Sequence, residues 1–217
     1  MNFQTVVNSR RSIRWFQNQE IATETLQTIV ETAQKVPSFV NSQPVRVVIA
    51  TGNTLATIRE QHLQSVVNQA PSQSVLPYQP IPEWDDGAKA NIMGWFASTK
   101  EQIGDDWGTM MGKAGANLYN AQAIVYLTLP KDYPDWSLVD LGAFSEALML
   151  AAQDAGVDSL PAYEFVKFAD DLMAPLKLTD DQQVVMGIGL GYRDEDSLLN
   201  QIRSGRMDTE SILTILD

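Results

Sequence analysis

The chain has 217 residues, with 15 Lys and Arg against 27 Asp and Glu, one His and no Cys, so its formal net charge is −12. The missing cysteines exclude disulfides, thiolate metal ligands and cysteine nucleophiles, and the acidic balance argues against a nucleic-acid or anionic-membrane partner, because both need a basic surface. Since no segment resembles a signal peptide or a membrane span, we expect a cytoplasmic protein.

Helical and extended patterns alternate along the first third of the chain. Apolar residues at helical spacing predict an amphipathic helix over residues 23–36. A loop bracketed by two prolines then leads into a run of branched residues, which predicts a strand over 45–51. A second helix is expected over 53–67.

A long excursion follows this second helix. Four of the ten prolines lie between residues 71 and 82, and their density excludes regular structure there. Two helices rich in Met and Trp are expected next, over 88–103 and 107–119. The Met and Trp side chains in and just before these helices fit two interpretations equally well: a plain helical core, and an aromatic cap over an apolar substrate. The side chains in question are Trp84, Met93, Trp95, Trp107, Met110 and Met111.

The last part of the chain contains two strands between helices. Strands are predicted over 123–129 and 184–192, and a helix over 138–155 is apolar on most of its circumference. Such a helix should be buried on nearly all sides, either centrally or against another subunit. A final helix is expected over 209–216. Few strands separated by helices indicate an α/β or α+β fold in which helices cover a small sheet.

Basic residues are concentrated at the two ends of this acidic chain. The first 19 residues contain Arg10, Arg11 and Arg14 and no acid, and Arg203 and Arg206 lie near the other end. Guanidinium groups bind phosphate bidentately, and the hydroxyl of Ser12 adds a directional donor. The pattern therefore favours a bound small anion, although a solvated basic N-terminus would have the same spacing.

Other candidate motifs have simpler interpretations. His62 lies at the edge of an apolar helix face without acids at ligand spacing, so a structural role is expected and no metal site is assigned. Acidic doublets diverge on a helix or strand and fit solvated helix starts and turns. These doublets are Asp85-Asp86, Asp105-Asp106, Asp170-Asp171 and Asp180-Asp181.

Three glycines alternate within the predicted strand over 184–192. Gly187, Gly189 and Gly191 have GxGxG spacing and are followed by a charged turn, whereas a dinucleotide-binding loop needs a helix there. Glycine at every second position leaves one face of a strand bare, so that another group can approach the backbone closely. Tight packing and a bound ligand explain this pattern equally well.

Four segments occur in series: RRSIRWF, VPSFVNSQPVRVVIATG, GVDSLPAYEF and GLGYRDEDSLLNQIRSGR. In this order they resemble the nitroreductase family of flavin-dependent oxidoreductases, and the resemblance covers essentially the whole chain. The excursion over 71–119 is similar to that of the branch with extra helices over the active site. The resemblance implies one α+β domain over 1–217, with a central, mostly antiparallel sheet flanked by helices. It also implies a homodimer with swapped terminal segments and FMN in each interface pocket.

The resemblance also implies which residues hold the cofactor. Both chain ends hold the FMN phosphate, the loop over 37–43 reaches the flavin of the second subunit, and Asn68 lies near the polar edge of the isoalloxazine. The backbone at Tyr163 and Glu164 points at flavin N5, so no side chain is assigned a catalytic role. The implied cofactor-binding residues are Arg10, Arg11, Ser12, Arg14, Pro37, Ser38, Phe39, Asn41, Gln43, Asn68, Pro161, Ala162, Tyr163, Glu164, Arg203 and Arg206.

The activity implied by the resemblance is that of an NAD(P)H-dependent flavoprotein oxidoreductase working by alternate binding. Hydride passes from NAD(P)H to flavin N5, and two electrons then pass to a nitroaromatic, a quinone or a similar flat acceptor. A flavin-dependent desaturase or dehydrogenase on the same fold is one alternative, and a non-catalytic FMN-binding protein is another. Phe39, Val45 and Tyr163 depart from common family residues and would narrow the substrate face of the pocket.

Overall fold

The computed structural model describes residues 2–217, and its centre is a four-stranded antiparallel sheet. The strands are β1 (Arg46–Thr51), β2 (Ala123–Pro130), β3 (Asp158–Pro161) and β4 (Gln182–Gly191). Their order across the sheet is β1-β2-β4-β3, so β1 and β3 form the edges and the two longest strands lie between them. Val48 pairs with Tyr126, and Val125 pairs with Ile188.

Helices cover both faces of this sheet. They are α1 (Phe3–Ser9), α2 (Thr23–Ala33), α3 (Gly52–Val67), α4 (Asp86–Ile103), α5 (Trp107–Ala116), α6 (Trp136–Asp154) and α7 (Asp170–Met173). Because side chains alternate along a strand, Val125 and Leu127 of β2 face the core beneath α2 and α6, whereas Ile124 and Tyr126 face the core beneath α3 and α7. The expected α+β fold with helices flanking an antiparallel sheet is confirmed.

Most predicted elements form with small shifts at their ends. The helix expected over 23–36 ends at Ala33, and the strand expected over 184–192 begins two residues earlier, at Gln182. The helix expected over 107–119 ends at Ala116 and gives way to a 3₁₀ turn, Leu118–Asn120, in which all three residues have positive φ. Gly156 follows α6 with φ +75°, as expected of a glycine that ends a helix.

One predicted helix was wrong, and the short elements α1, β3 and α7 were not predicted. The helix expected over 209–216 is only a 3₁₀ turn, Thr209–Ser211, because the apolar side chains beyond it stay exposed and have nothing to pack on. Helix α1 was not expected; its N-terminus is capped by Asn2, whose side chain accepts the Thr5 N–H. Strand β3 has only four residues, too few for a periodic pattern.

Of the two expected modes of burial for helix α6, central burial within one chain is not observed. The helix is apolar around much of its circumference, yet Trp136 and Val139 are 56% and 60% exposed on one side. Ala143 and Glu146 extend this exposed stripe along the helix. Among residues 2–217 this stripe is covered only in part, where the ring of Phe39 stacks on Trp136.

No helix within residues 2–217 combines the length and apolarity that crossing a membrane would require. Over the same residues, no cluster of three His, Asp or Glu side chains is placed to hold a metal ion. The cytoplasmic location stays a prediction.

Candidate active site

A cleft of about 770 Å³ lies where the two ends of the chain meet. Its lining combines the basic motif at the start of the chain with the arginines near its end. The lining residues are Val7, Asn8, Ser9, Arg10, Arg11, Ser12, Arg14, Glu146, Arg193, Ile202, Arg203, Ser204 and Arg206. The structure thus brings together the two arginine groups singled out in the sequence and adds a sixth arginine, Arg193.

The buried side chain of Asn200 ties the two chain ends together. Its Oδ1 accepts the N–H groups of Arg14 and Trp15 at 2.7 and 3.2 Å. Its Nδ2 donates to the carbonyls of Trp15 and Asp194 at 2.7 and 2.9 Å. Upstream, the Ile13 N–H donates to the Ser159 carbonyl at 3.0 Å. These contacts fix the N-terminal motif against the sheet and the C-terminal segment.

Two of the six arginines have acidic partners. Arg193 lies against buried Asp158, with Nε 2.9 Å from Oδ2, and this hydrogen bond raises the pKa of Arg193 further. Arg10 Nε lies 3.7 Å from Oε1 of exposed Glu146, a loose contact of small energy. The charge of Arg193 is therefore neutralised locally, whereas the positive charge of Arg10 stays largely uncompensated.

The other four guanidinium groups have no acidic partner among residues 2–217. Arg14 donates to the Ser12 carbonyl at 3.1 Å and lies over the Trp95 ring; burial lowers its pKa, and Tyr119 opposes that shift. Arg203 and Arg206 donate only to main-chain carbonyls of their own segment. Nε of Arg11 is buried without a hydrogen-bond acceptor. Uncompensated charge of this density is suited to an anion.

The alternating glycines of β4 receive aromatic rings. A Cβ at Gly189 would lie 2.6 Å from Cζ of Phe165, and a Cβ at Gly191 would lie 2.7 Å from Cδ1 of Phe16. Gly187 meets Phe165 in the same way. Of the two interpretations of GxGxG, packing is the one that the structure supports. The rings anchor the 3₁₀ turn Tyr163–Phe165 and the N-terminal motif onto the sheet.

The side chains of His62 and Lys167 contact the carboxylate of Glu164. His62 is buried, and its Nε2 lies 3.3 Å from Oε1 of Glu164 without the alignment of a hydrogen bond. Lys167 Nζ lies 3.4 Å from the same oxygen. Burial alone would raise the pKa of Glu164, but His62 and Lys167 outweigh it and hold the pKa below its ordinary value. The carboxylate is thus held ionised by contacts outside the arginine cleft.

Tyr119 lies close to both Glu164 and Arg14 in a strained backbone conformation. Its φ is +55°, a region that bulky residues rarely occupy, and the turn is held by Arg59, whose Nη2 donates to the Ala121 carbonyl at 2.6 Å. Burial, and then the charge of Glu164, raise the pKa of Tyr119 to about 12, against the opposing field of Arg14. The phenol therefore stays protonated at neutral pH.

The Pro-rich segment crosses the loop that follows β3. The Gln73 N–H donates to the Lys167 carbonyl at 2.8 Å, and the Tyr163 hydroxyl donates to Oγ of Ser72. The rings of Tyr78 and Tyr163 lie 5.8 Å apart and are both exposed. Pro161, Ala162, Tyr163 and Glu164 thus form one turn beside an open pair of aromatic rings.

The predicted loop over 37–43 lies in a different place. Pro37, Ser38 and Gln43 line a separate hollow of about 450 Å³, which shares no lining residue with the arginine cleft. Phe39 and Asn41 are exposed, and Phe39 stacks on Trp136 at 5.2 Å. The cleft of the chain itself therefore lacks these five predicted residues.

This loop is strained and held by one buried acid. Val40 has φ +44°, unfavourable for a β-branched residue, and is almost fully exposed. Buried Asp140 on α6 accepts the Phe39 N–H at 2.9 Å.

Asn68, another predicted residue, ends α3 in an exposed position, and its Oδ1 accepts from Gln64 at 3.1 Å.

The Met and Trp side chains of the 71–119 excursion divide between the two interpretations. Trp107, Met110 and Met111 pack around a small core of Ile103, Ala114, Leu199 and Ile202. Trp84 and Met93 stay exposed. Three of the six side chains thus form a local core that holds the excursion to the C-terminal segment.

Three residues that matter to the cleft were missed in the sequence. Asn200 occurs in the NxxRxxR run, so its position was visible but its four hydrogen bonds were not. Arg193 and Asp158 are 35 residues apart, and only the pairing of β3 with β4 brings them together. No local pattern identifies such a pair.

A family model for the nitroreductase family matches residues 7–192, so the chain belongs to this family. Among characterised relatives, a 4-nitrobenzoate reductase from Pseudomonas putida is 27% identical, over 94% of this chain and 91% of the relative. A chloronitrobenzene nitroreductase from Comamonas testosteroni is 26% identical, over 97% and 95%.

Solved structures agree with this assignment at the level of the fold. The FMN-dependent nitroreductase NfnB from Mycobacterium smegmatis, solved in complex with NADPH, superposes with a TM-score of 0.91 at 21% identity, covering 99% of this chain and 97% of that one. The FMN- and NADPH-dependent NfnB from Sphingopyxis sp. strain HMH gives a TM-score of 0.88 at 20% identity over both whole chains.

Proposed function

We propose that the protein is an FMN-dependent NAD(P)H oxidoreductase that reduces nitroaromatic compounds, quinones or similar flat acceptors. The observation that carries the proposal is the cleft in which arginines from both chain ends converge, four of them without an acidic partner within residues 2–217. The relatives named as nitrobenzoate and chloronitrobenzene reductases support the acceptor class.

The cleft residues fit the phosphate end of FMN. A phosphomonoester has a charge of about −1.5 to −2 near neutral pH and three strong acceptor oxygens. Arg10, Ser12 and Arg14 would hold it from one side, and Arg203 and Arg206 from the other. The buried Nε of half-buried Arg11 is a further donor without an acceptor, which supports a bound anion.

The protein's own contribution is to bind, orient and shield. When bound, FMN supplies reversible two-electron chemistry, which allows one site to take reducing equivalents from NAD(P)H and deliver them to an acceptor. We place the main chain of Tyr163 and Glu164 beside flavin N5, where the anchored turn would keep an amide donor fixed. The exposed rings of Tyr78 and Tyr163 would flank a flat acceptor.

We further propose that the working form is a homodimer with swapped terminal segments and FMN at the interface. The last residues expose Ile212, Ile215 and Leu216, the latter two by 83% and 88%. The α6 stripe is also largely exposed, and a hollow of about 600 Å³ runs between α2 and the edge strand β1. An apolar tail, an apolar stripe and an open strand edge favour association with a second copy.

The experiment is anaerobic reduction of the flavin-loaded protein by NADPH and by NADH in a stopped-flow instrument, followed by addition of 4-nitrobenzoate, nitrobenzene or a quinone. We expect bleaching of the flavin absorbance and its return on adding an acceptor. A protein that binds no FMN at saturation contradicts the proposal. A yellow protein that neither nicotinamide bleaches would instead be a non-catalytic flavoprotein or a flavin-dependent desaturase.

A further inference from the structure

One face of α4 runs along the segment that contains the C-terminal arginines. Asn91, Trp95 and Gln102 lie on this face because helix positions four and seven residues apart share a side. Trp95 Nε1 donates to Oγ of Ser204 at 3.0 Å, and Asn91 Nδ2 donates to Sδ of Met207 at 3.3 Å. The helix therefore holds the segment at several successive residues.

Gln102 clamps the main chain of Arg203 from both sides. The Arg203 N–H donates to Oε1 of Gln102 at 2.7 Å, and Nε2 of Gln102 donates to the Arg203 carbonyl at 3.1 Å. Nε2 also donates to Oγ of Ser98 at 2.8 Å, which fixes the orientation of the amide. Within residues 2–217, the Arg203 amide has no other acceptor, and the residue lies in no helix or strand.

The same helix also supports the N-terminal motif. The guanidinium carbon of Arg14 lies 5.7 Å from the centre of the Trp95 ring, in a cation–π contact. Arginines from both chain ends thus lie against one helix of the 71–119 excursion. The geometry of the cationic cleft depends on a helix that contributes no lining residue to it.

We propose that Gln102 is a positioning residue for the phosphate end of FMN and that it acts through the main chain of Arg203. This inference rests on the proposed function, because it takes the cleft to be the phosphate site. A residue that acts through Arg203 affects only the part of a ligand that Arg203 reaches. Binding of FMN should therefore depend on Gln102, whereas binding of riboflavin, which lacks the phosphate, should not.

The test compares two flavins on one variant. Gln102→Leu retains a side chain of similar volume and removes its hydrogen bonds. The flavin-free 217-residue protein is titrated with FMN and with riboflavin, and quenching of flavin fluorescence gives each Kd. We expect the Kd for FMN to rise roughly tenfold, as for the loss of one or two hydrogen bonds, with the Kd for riboflavin unchanged. Gln102→Asn, which is one methylene too short, should show the same selective loss and guards against misfolding of the leucine variant.

Glu101→Ala, at the preceding position of the same helix turn, is the matched control. Removal of its carboxylate would tighten rather than weaken anion binding. An unchanged Kd for FMN in both Gln102 variants, or equal weakening of both flavins, overturns the positioning role. If the wild-type protein binds FMN no more tightly than riboflavin, the phosphate site of the proposed function itself fails, which is a distinct result.

Discussion

Asn200 accepts the main-chain N–H of Arg14 at 2.7 Å, and this contact joins residues 186 positions apart in the chain. The side chain is buried and makes three further hydrogen bonds, to Trp15 and Asp194. All four of its hydrogen-bonding positions are thus used. One amide group fixes the relative position of the two basic segments of the cleft.

Replacing Asn200 with Ala should therefore weaken both the fold and the cleft. The change removes four hydrogen bonds and leaves buried main-chain groups unsatisfied, so we expect a loss of about 2–4 kcal/mol in the free energy of unfolding. Urea denaturation of the apoprotein measures it. Asn53→Ala, at an exposed position of the first turn of α3, is the control, and an equal loss there would contradict this account.

Replacing Arg206 with Ala should weaken FMN binding without affecting the fold. Loss of one charged hydrogen bond costs about 1.5–3 kcal/mol, which corresponds to roughly a tenfold to more than a hundredfold rise in Kd. Fluorescence titration with FMN gives the value. Lys131→Ala removes the same charge at an exposed position outside the cleft lining. If both variants lose affinity equally, Arg206 acts only through net charge.

A methyl group at Gly189 should destabilise the protein. The added Cβ would lie 2.6 Å from Phe165 and 3.2 Å from Ala121, and overpacking of this kind costs about 1–3 kcal/mol. Gly112→Ala is the matched control: it lies in α5 with nothing near its Cβ position and should gain about 0.5–1 kcal/mol. Thermal unfolding of both variants measures the predicted loss and gain of stability. A smaller side chain in Phe165→Leu should restore part of the loss in Gly189→Ala.

Polar substitutions in the tail should weaken self-association. Ile215 and Leu216 are exposed in the single chain, and an aspartate at each position would place charge in the apolar contact proposed for the dimer. Sedimentation of Ile215→Asp/Leu216→Asp should show dissociation at concentrations where the wild-type protein is dimeric. Leu198→Asp is similarly exposed but lies outside the tail and α6, and should leave the assembly intact. A wild-type monomer would contradict the dimer outright.

The depressed pKa of Glu164 predicts a pH dependence of stability. Because the folded-state pKa lies below the ordinary value of 4.5, the contribution of the carboxylate is fully present above about pH 4.5 and is lost as the pH falls through the folded pKa. Free energies of unfolding measured from neutral pH down to about pH 3 should therefore fall less steeply in Glu164→Gln than in the wild-type protein. Glu83→Gln, in an exposed position, should follow the wild-type curve. Parallel curves for all three proteins would show that Glu164 contributes nothing.

The sequence predicted those parts of the fold that depend on local periodicity. Helix α2 buries one face and shows it in its spacing, whereas strand β2 is buried on both faces and shows it as a continuous run of apolar residues. Strand β3 was not predicted because four residues are too few to show a periodic pattern, and because its pairing with β4 is a long-range contact. The final helix was wrong because its apolar spacing has nothing to pack on within the chain.

The site was predictable to the extent that it depends on residue type. Arginines at short spacing were visible as an anion motif at both chain ends. The roles of Asn200 and Gln102 were not visible, because an amide gains its function from the main-chain groups that the fold brings to it. Arg193 lies in an acid-rich turn, and only its pairing with Asp158 distinguishes it from a surface charge.

The bare glycine face of β4 holds in place the turn beside which the electron acceptor is proposed to bind. Phe165 is seated on Gly187 and Gly189, so the main chain of the preceding two residues is held by the sheet rather than by their own side chains. Tyr163 is exposed and makes only peripheral contacts, with Ser72 and Tyr78. Position 163 can therefore accept different side chains while the backbone beside it stays in place. On the placement proposed for this turn beside flavin N5, selectivity can diverge at position 163 while the neighbouring main chain keeps its geometry.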